Sequence, residues 1–139
     1  MKNTTYDWNQ FLSFLEQLYN DPFGNNDSET KYRIVVSRSY YAAFHYAKKF
    51  LKDFHLENST IYGGEHQRVI RHFKEMKRKT PDFQRKCKRI GLYLDRLKTR
   101  RMQADYKDGY TFKNADGEYG IKQAHTIISS IDELKNYFN

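Results

Sequence analysis

A chain of 139 residues suits one domain built around a single core. Charged residues at 30% and a mean hydropathy of −0.97 lean toward disorder, but 12 Tyr and 10 Phe supply the large apolar groups that disordered chains lack. The single cysteine excludes an internal disulfide and a multi-thiolate zinc cluster, and no signal-peptide core or bilayer-length apolar run appears, so a cytoplasmic location is expected.

Trp8, Phe11, Leu12, Leu15 and Leu18 recur at helical spacing and predict a first helix over about 6–19. Thr4 or Thr5 is the expected cap, with Asp7 in the first turn. The turn-rich stretch 20–26 ends it. A second helix is predicted over about 28–54, capped by Asp27 or Ser28. Val36, Tyr40, Ala43, Ala47, Phe50 and Phe54 alternate spacings of three and four, and Val35, Ala42, Phe44 and Tyr46 widen the apolar arc. A helix so broadly apolar is expected at the centre of the fold. Its opposite face carries Ile34, Arg38, Tyr41 and His45.

The link from His55 to Gly64 leads to a third helix over about 65–78, with Val69 or Ile70, Phe73 and Met76 inward. His66 stands at its start, and His72 is expected to face outward with the basic residues. Thr80-Pro81 opens a fourth helix as cap and first helical residue. Phe83, Cys87, Ile90, Leu94, Leu97, Arg101 and Ala104 then form one long stripe. An arginine on a core stripe demands a partner or a polar cavity, and Asp105 is the local candidate. Residues 107–117 read as a polar connector that either orders over a site or stays mobile. A fifth helix over about 118–138 turns Ala124, Ile127, Ile131, Leu134 and Phe138 to the core. With no strand signal, the pattern predicts an all-α fold: an up-and-down antiparallel four-helix bundle with an additional N-terminal helix, in one domain over 1–139.

The net charge of +8 is concentrated. Residues 65–101 hold 14 Lys and Arg against 4 Asp and Glu, whereas the rest of the chain is slightly acidic. Local positive charge favours phosphate-rich partners such as RNA, because bound cations release condensed counterions. A solvated, soluble surface explains the same charge without any partner.

Three constellations carry candidate chemistry. Arg101 can hold a phosphate through two bonds, with Asp105 and Tyr106 to orient it and Arg100 beside it; the plainer alternative is an ion pair closing the bundle end. Arg38, Tyr41 and His45 line one helix face, where His can take the proton of a ribose 2′-hydroxyl while Arg neutralises the phosphate; the alternative is a surface or dimer contact. Glu65-His66 at a helix start can receive an anion, or simply cap and pack. No zinc spacing, phosphate-binding P-loop or nucleophile elbow is present, and no cofactor is expected.

Ser37-Arg38-Ser39-Tyr40-Tyr41-Ala42-Ala43-Phe44-His45 resembles the second-helix signature of the HEPN superfamily, in its small stand-alone prokaryotic branch. Gly64-Glu65-His66-Gln67-Arg68-Val69-Ile70 is similar to that branch's third-helix start, and Arg101-Met102-Gln103-Ala104-Asp105-Tyr106 to its Arg-x-x-Ala-Asp-Tyr stretch. The resemblance implies a homodimeric helical bundle, often a metal-independent endoribonuclease in toxin–antitoxin or phage-defence systems, paired with a minimal nucleotidyltransferase antitoxin. It implies an Arg followed after four to six residues by His, with two copies meeting in a dimer cleft. Arg101 matches the Arg; Asp105 stands near the His position and is a poor general acid at neutral pH unless its surroundings raise its pKa. The expected site is therefore Arg101, Asp105, His45 and Arg38 as catalytic groups, with Tyr41, His66, Tyr106 and Arg100 on the substrate. A non-catalytic nucleotide- or RNA-binding or nucleotidyltransferase-partner module is the rival reading, and a structural adaptor the third.

Overall fold

The structure is a computed structural model that describes residues 6–21 and 28–138. Five α-helices account for its regular structure, with no strand among the described residues: α1 (Trp8–Asn20), α2 (Ser28–Asp53), α3 (Glu65–Lys74), α4 (Pro81–Tyr106) and α5 (Asn114–Leu134), followed by a short 3₁₀ turn, Lys135–Phe138. None of them is long and apolar enough to cross a membrane.

The broad apolar arc of the second helix makes it central: α2 packs against all four other helices. Val36, Tyr40, Ala43, Ala47 and Phe50 are buried as their spacing requires, and so are Val35, Ala42 and Phe44. Phe83, Cys87, Ile90, Leu94, Leu97 and Ala104 face them from α4, and Ala124, Ile127, Ile131 and Leu134 from α5. Burial pushes the Cys87 thiol up to about 12, so it stays an unreactive thiol inside the core. The first helix contributes Leu12 and Leu15, but Leu18, expected on its inner stripe, is exposed. Asp7 rather than a threonine caps α1, accepting from Asn9 N–H at 3.0 Å; Thr4, Thr5 and Asp27 lie outside the described residues.

Three expectations shift. The third helix stops at Lys74 instead of running to 78, because the chain must turn back within a few residues and does so with Lys79 at φ 65° before the Thr80 cap. His72 is buried rather than outward: it accepts the Asn58 N–H at Nε2 (2.8 Å) and bonds the Arg68 carbonyl through Nδ1 (2.7 Å), tying the α2–α3 link to α3. The fifth helix starts four residues early, at Asn114, because Asp116 reaches back to the Lys113 N–H at 2.8 Å and the Tyr19 hydroxyl donates to the Asn114 carbonyl at 3.0 Å.

The end of α2 is closed by a paired bond motif. Leu56 N–H bonds Leu51 O at 2.9 Å, and His55 N–H bonds Lys52 O at 3.2 Å, with His55 itself at φ 55°. Glycine is the usual residue there, because a Cβ in the left-handed region costs about 1–2 kcal/mol. His55→Gly is therefore expected to raise stability by about 1 kcal/mol, read as a higher urea midpoint at unchanged slope; a lower midpoint contradicts this account of the turn.

The connector between α4 and α5 is ordered, not loose. The Arg33 guanidinium on α2 donates to the carbonyls of Gln103 (3.2 Å), Ala104 (2.9 Å), Lys107 (3.3 Å) and Tyr110. Its Nε bonds Glu29 at 3.3 Å, and Glu29 in turn accepts the Phe112 N–H at 3.0 Å. One half-buried fork thus adds donors to carbonyls where the α4 ladder runs out, and fixes the last turn on which Asp105 and Tyr106 sit.

Candidate functional site

Arg101 occupies the inward row of α4, and its side chain is 13% exposed. What receives it is the polar face of α2. Its Nη2 donates to the Tyr41 hydroxyl at 2.5 Å, and the guanidinium lies 5.0 Å from the Tyr41 ring centre. Its Nε is 2.9 Å from Asp105 Oδ2, yet this buried N–H has no directed acceptor, so the contact with Asp105 is an ion pair rather than an aligned hydrogen bond. Ser37 Oγ donates to the same carboxylate oxygen at 3.1 Å. Arg38, one residue along, lays its guanidinium 4.9 Å from the Tyr41 ring and has no carboxylate partner among the described residues. Two guanidiniums thus rest against one tyrosine, and Asp105 pairs with that of Arg101. A cavity of about 220 Å³ opens beside Arg38 and Asp105, lined also by Ile34 and Ser37 but not by Arg101.

The first turn of α3 brings in His66, whose ring stacks on Phe44 at 4.0 Å and lies 2.8 Å through Nδ1 from the Tyr40 hydroxyl. Tyr40 is fully buried and its hydroxyl has no other partner. A buried phenol proton without an acceptor is costly, so Tyr40 donates to Nδ1, which leaves His66 with its own hydrogen on Nε2. Burial, with the positive charges of Arg101 and Lys98 opposed by Glu65, holds the His66 pKa below the ordinary imidazole range. At neutral pH the ring is therefore an uncharged hydrogen-bond donor.

The remaining expected residues separate. His45 is half-buried and stacked on Trp8 at 4.4 Å, 6.2 Å from the Tyr41 ring; burial and Lys48 lower its pKa. It stands at the edge of the cluster, with one face covered. Tyr106 lies 5.7 Å from the Arg101 guanidinium and is 63% exposed. Arg100 points away: it pairs with Asp116 and lies 4.9 Å from the Phe112 ring, anchoring α5 instead of entering the site. The structure adds Ser37, Tyr40 and Lys98 to the cluster. Ser37 lies one turn before Tyr41 and Lys98 one turn before Arg101, so helical spacing from the named residues finds both. Tyr40 was legible only as a core residue.

Two guanidiniums and an imidazole N–H gather around Tyr40 and Tyr41, with Asp105 already engaged by Arg101 and Ser37. Donors of this kind can hold an oxyanion. Among the described residues, no three His, Cys, Asp or Glu side chains gather as a metal-ligand set. A family model described as the HEPN domain matches residues 25–134, which is most of the chain. No curated protein and no solved structure matches it.

Proposed function

The chain belongs to the HEPN domain family, and from that premise we propose that it engages RNA or nucleotide by holding a phosphate between Arg38 and Arg101, beside the His66 Nε2–H. The observation that carries this is that both guanidiniums rest against Tyr41 while Arg38 has no carboxylate partner among the described residues.

As an enzyme the protein is a metal-independent endoribonuclease in a toxin–antitoxin or phage-defence setting. The ribose 2′-oxygen attacks the adjacent phosphorus, the bond to the 5′-oxygen breaks, and the ends are a 2′,3′-cyclic phosphate and a 5′-hydroxyl. Arg101 and Arg38 stabilise the charge on the phosphoryl oxygens. His66 donates a hydrogen bond to a phosphoryl oxygen, Asp105 takes the 2′-proton, and water supplies the proton of the departing 5′-oxygen. Two copies meet across the cleft as a homodimer, with Ile34 and Met102 exposed on α2 and α4 near it. A minimal nucleotidyltransferase partner finds Tyr106 and Tyr110 open to it.

A non-catalytic binding module is the second reading. It is favoured by the engagement of Asp105 with Arg101 and Ser37 and of His66 Nδ1 with Tyr40, which occupies the two groups nearest to serving as base. One assay separates the two: labelled RNA incubated with the protein in EDTA. The wild type binds, and Arg38→Ala weakens every sequence by a similar factor of about 10 and lowers the salt slope by about one. Cyclic-phosphate ends select the ribonuclease; intact bound RNA selects the binding module. Equal affinity and slope for wild type and Arg38→Ala would remove Arg38 from the site.

A further inference from the structure

The start of α1 carries chemistry that the phosphate site does not use. Tyr6 meets Trp8 edge-on at 4.9 Å, Trp8 stacks on His45 at 4.4 Å, and His45 lies nearly parallel to Tyr41 at 6.2 Å. Tyr41 is the ring against which Arg38 and Arg101 rest. Four rings therefore run in a row from Tyr6, which is 55% exposed, to the phosphate site. Lysines of α2 flank the row, and a cavity of about 230 Å³ opens between them and the rings. Lys48 and Lys49 are paired with Glu65 and with Asp53, which also lines the cavity, whereas among the described residues Lys52 has no ion-pair partner.

We infer that this row is a platform for single-stranded RNA, with unpaired bases stacking at Tyr6 and Trp8 and a backbone phosphate meeting Lys52. The inference rests on the RNA reading above and extends it from one phosphate to a strand. Aromatic rings interleaved with cations bind unpaired bases, which a duplex keeps inside its own stack. Length follows from geometry. Arg38 and Lys52 are separated by about 21 Å along α2 at 1.5 Å per residue, farther than a single nucleotide spans.

Trp8 is the only tryptophan, so its emission reports on the platform directly. The probes are 2′-O-methyl RNAs: a dinucleotide, a single strand of about ten nucleotides and a duplex of the same length. The single strand should quench Trp8 and bind about 10-fold or more tighter than the dinucleotide, with the duplex weaker. Tyr6→Ala and Lys52→Glu should each remove about 5-fold or more of that length advantage and leave dinucleotide affinity unchanged. Lys52→Glu alters an exposed side chain, so it tests the idea even where Tyr6→Ala loosens α1. A duplex that binds as well as the strand, or an intact length advantage in both variants, overturns the platform. Loss of both probes in Arg101→Met, with no effect of Tyr6→Ala or Lys52→Glu, removes the platform and keeps the phosphate site. Absence of binding by the wild type removes both.

Discussion

Arg101→Met is expected to lower RNA affinity by roughly 100-fold while the melting temperature falls by no more than a few degrees. The two effects come from different properties of one side chain. On the binding side, removal of a guanidinium deletes up to two charge-assisted bonds to phosphate, and each such bond contributes about 1.5 kcal/mol or more. On the folding side, Arg101 occupies a row otherwise filled by Ile90, Leu94, Leu97 and Ala104. Its buried Nε–H lacks a directed acceptor, and its charge is opposed by a carboxylate that is itself partly exposed. Removing one partner of a fully buried pair is destabilising, but Asp105 is open enough to be rehydrated and methionine fills the space flexibly, so the cost is small. Asp105 keeps Ser37 and its solvent contact. Calorimetry and a binding titration on the same preparation check both halves. A larger fall in melting temperature with unchanged affinity identifies Arg101 as a bundle-closing ion pair and restores the structural-adaptor reading.

Gly91→Val is expected to cost about 3 kcal/mol, a drop in melting temperature on the order of 10 °C. Gly91 lies mid-helix on α4 where α3 crosses it. A Cβ there falls 2.7 Å from Lys74 Cγ, 3.0 Å from the Lys74 backbone nitrogen and 3.2 Å from the Ile70 carbonyl oxygen. The lysine stem can swing away, but the two backbone atoms belong to a helix and move only with it. For alanine, the gain of about 1 kcal/mol in helix propensity offsets much of the overpacking. Valine adds two further carbons and loses part of that propensity gain, so the clash wins. Because α3 also carries His66, the valine variant should lose RNA binding even where it stays folded. A valine variant that melts with the wild type would mean that α3 and α4 are farther apart than the contacts here require.

The periodic signals in the sequence translated directly into structure. The Val36/Tyr40/Ala43/Ala47 row and the Phe83-to-Ala104 row are core because their spacing leaves no other face. The charge on the second row called for a partner or a polar cavity, and Tyr41 and Asp105 are the partners it meets. What misled was glycine. Gly117 read as a connector residue, yet it lies inside α5, where a Cβ would stand 2.7 Å from Tyr19 Cε1; Gly120, three residues on, meets the Val36 backbone at 3.2 Å. Both mark close helix crossings, and a local rule sees only a breaker. His72 failed for a related reason. Its neighbours are cationic and outward, but its Nε2 accepts from a loop residue 14 positions away, a contact that helical periodicity does not encode. Arg100 and Arg101 are adjacent and alike in sequence; only their angles on the α4 face send one to α5 and the other to the site.

The most direct measurement is side-chain NMR on the labelled protein during titration with a 2′-O-methyl RNA strand, with the arginine Nε and histidine ring nitrogens resolved. The account predicts that the first and largest shifts fall on Arg38, Arg101 and the Nε2 of His66, while Arg85, Arg89 and Arg96 on the outer face of α4 move little. Shifts confined to that outer face, with Arg38, Arg101 and His66 unmoved, would contradict the phosphate site and assign RNA to the general basic surface instead.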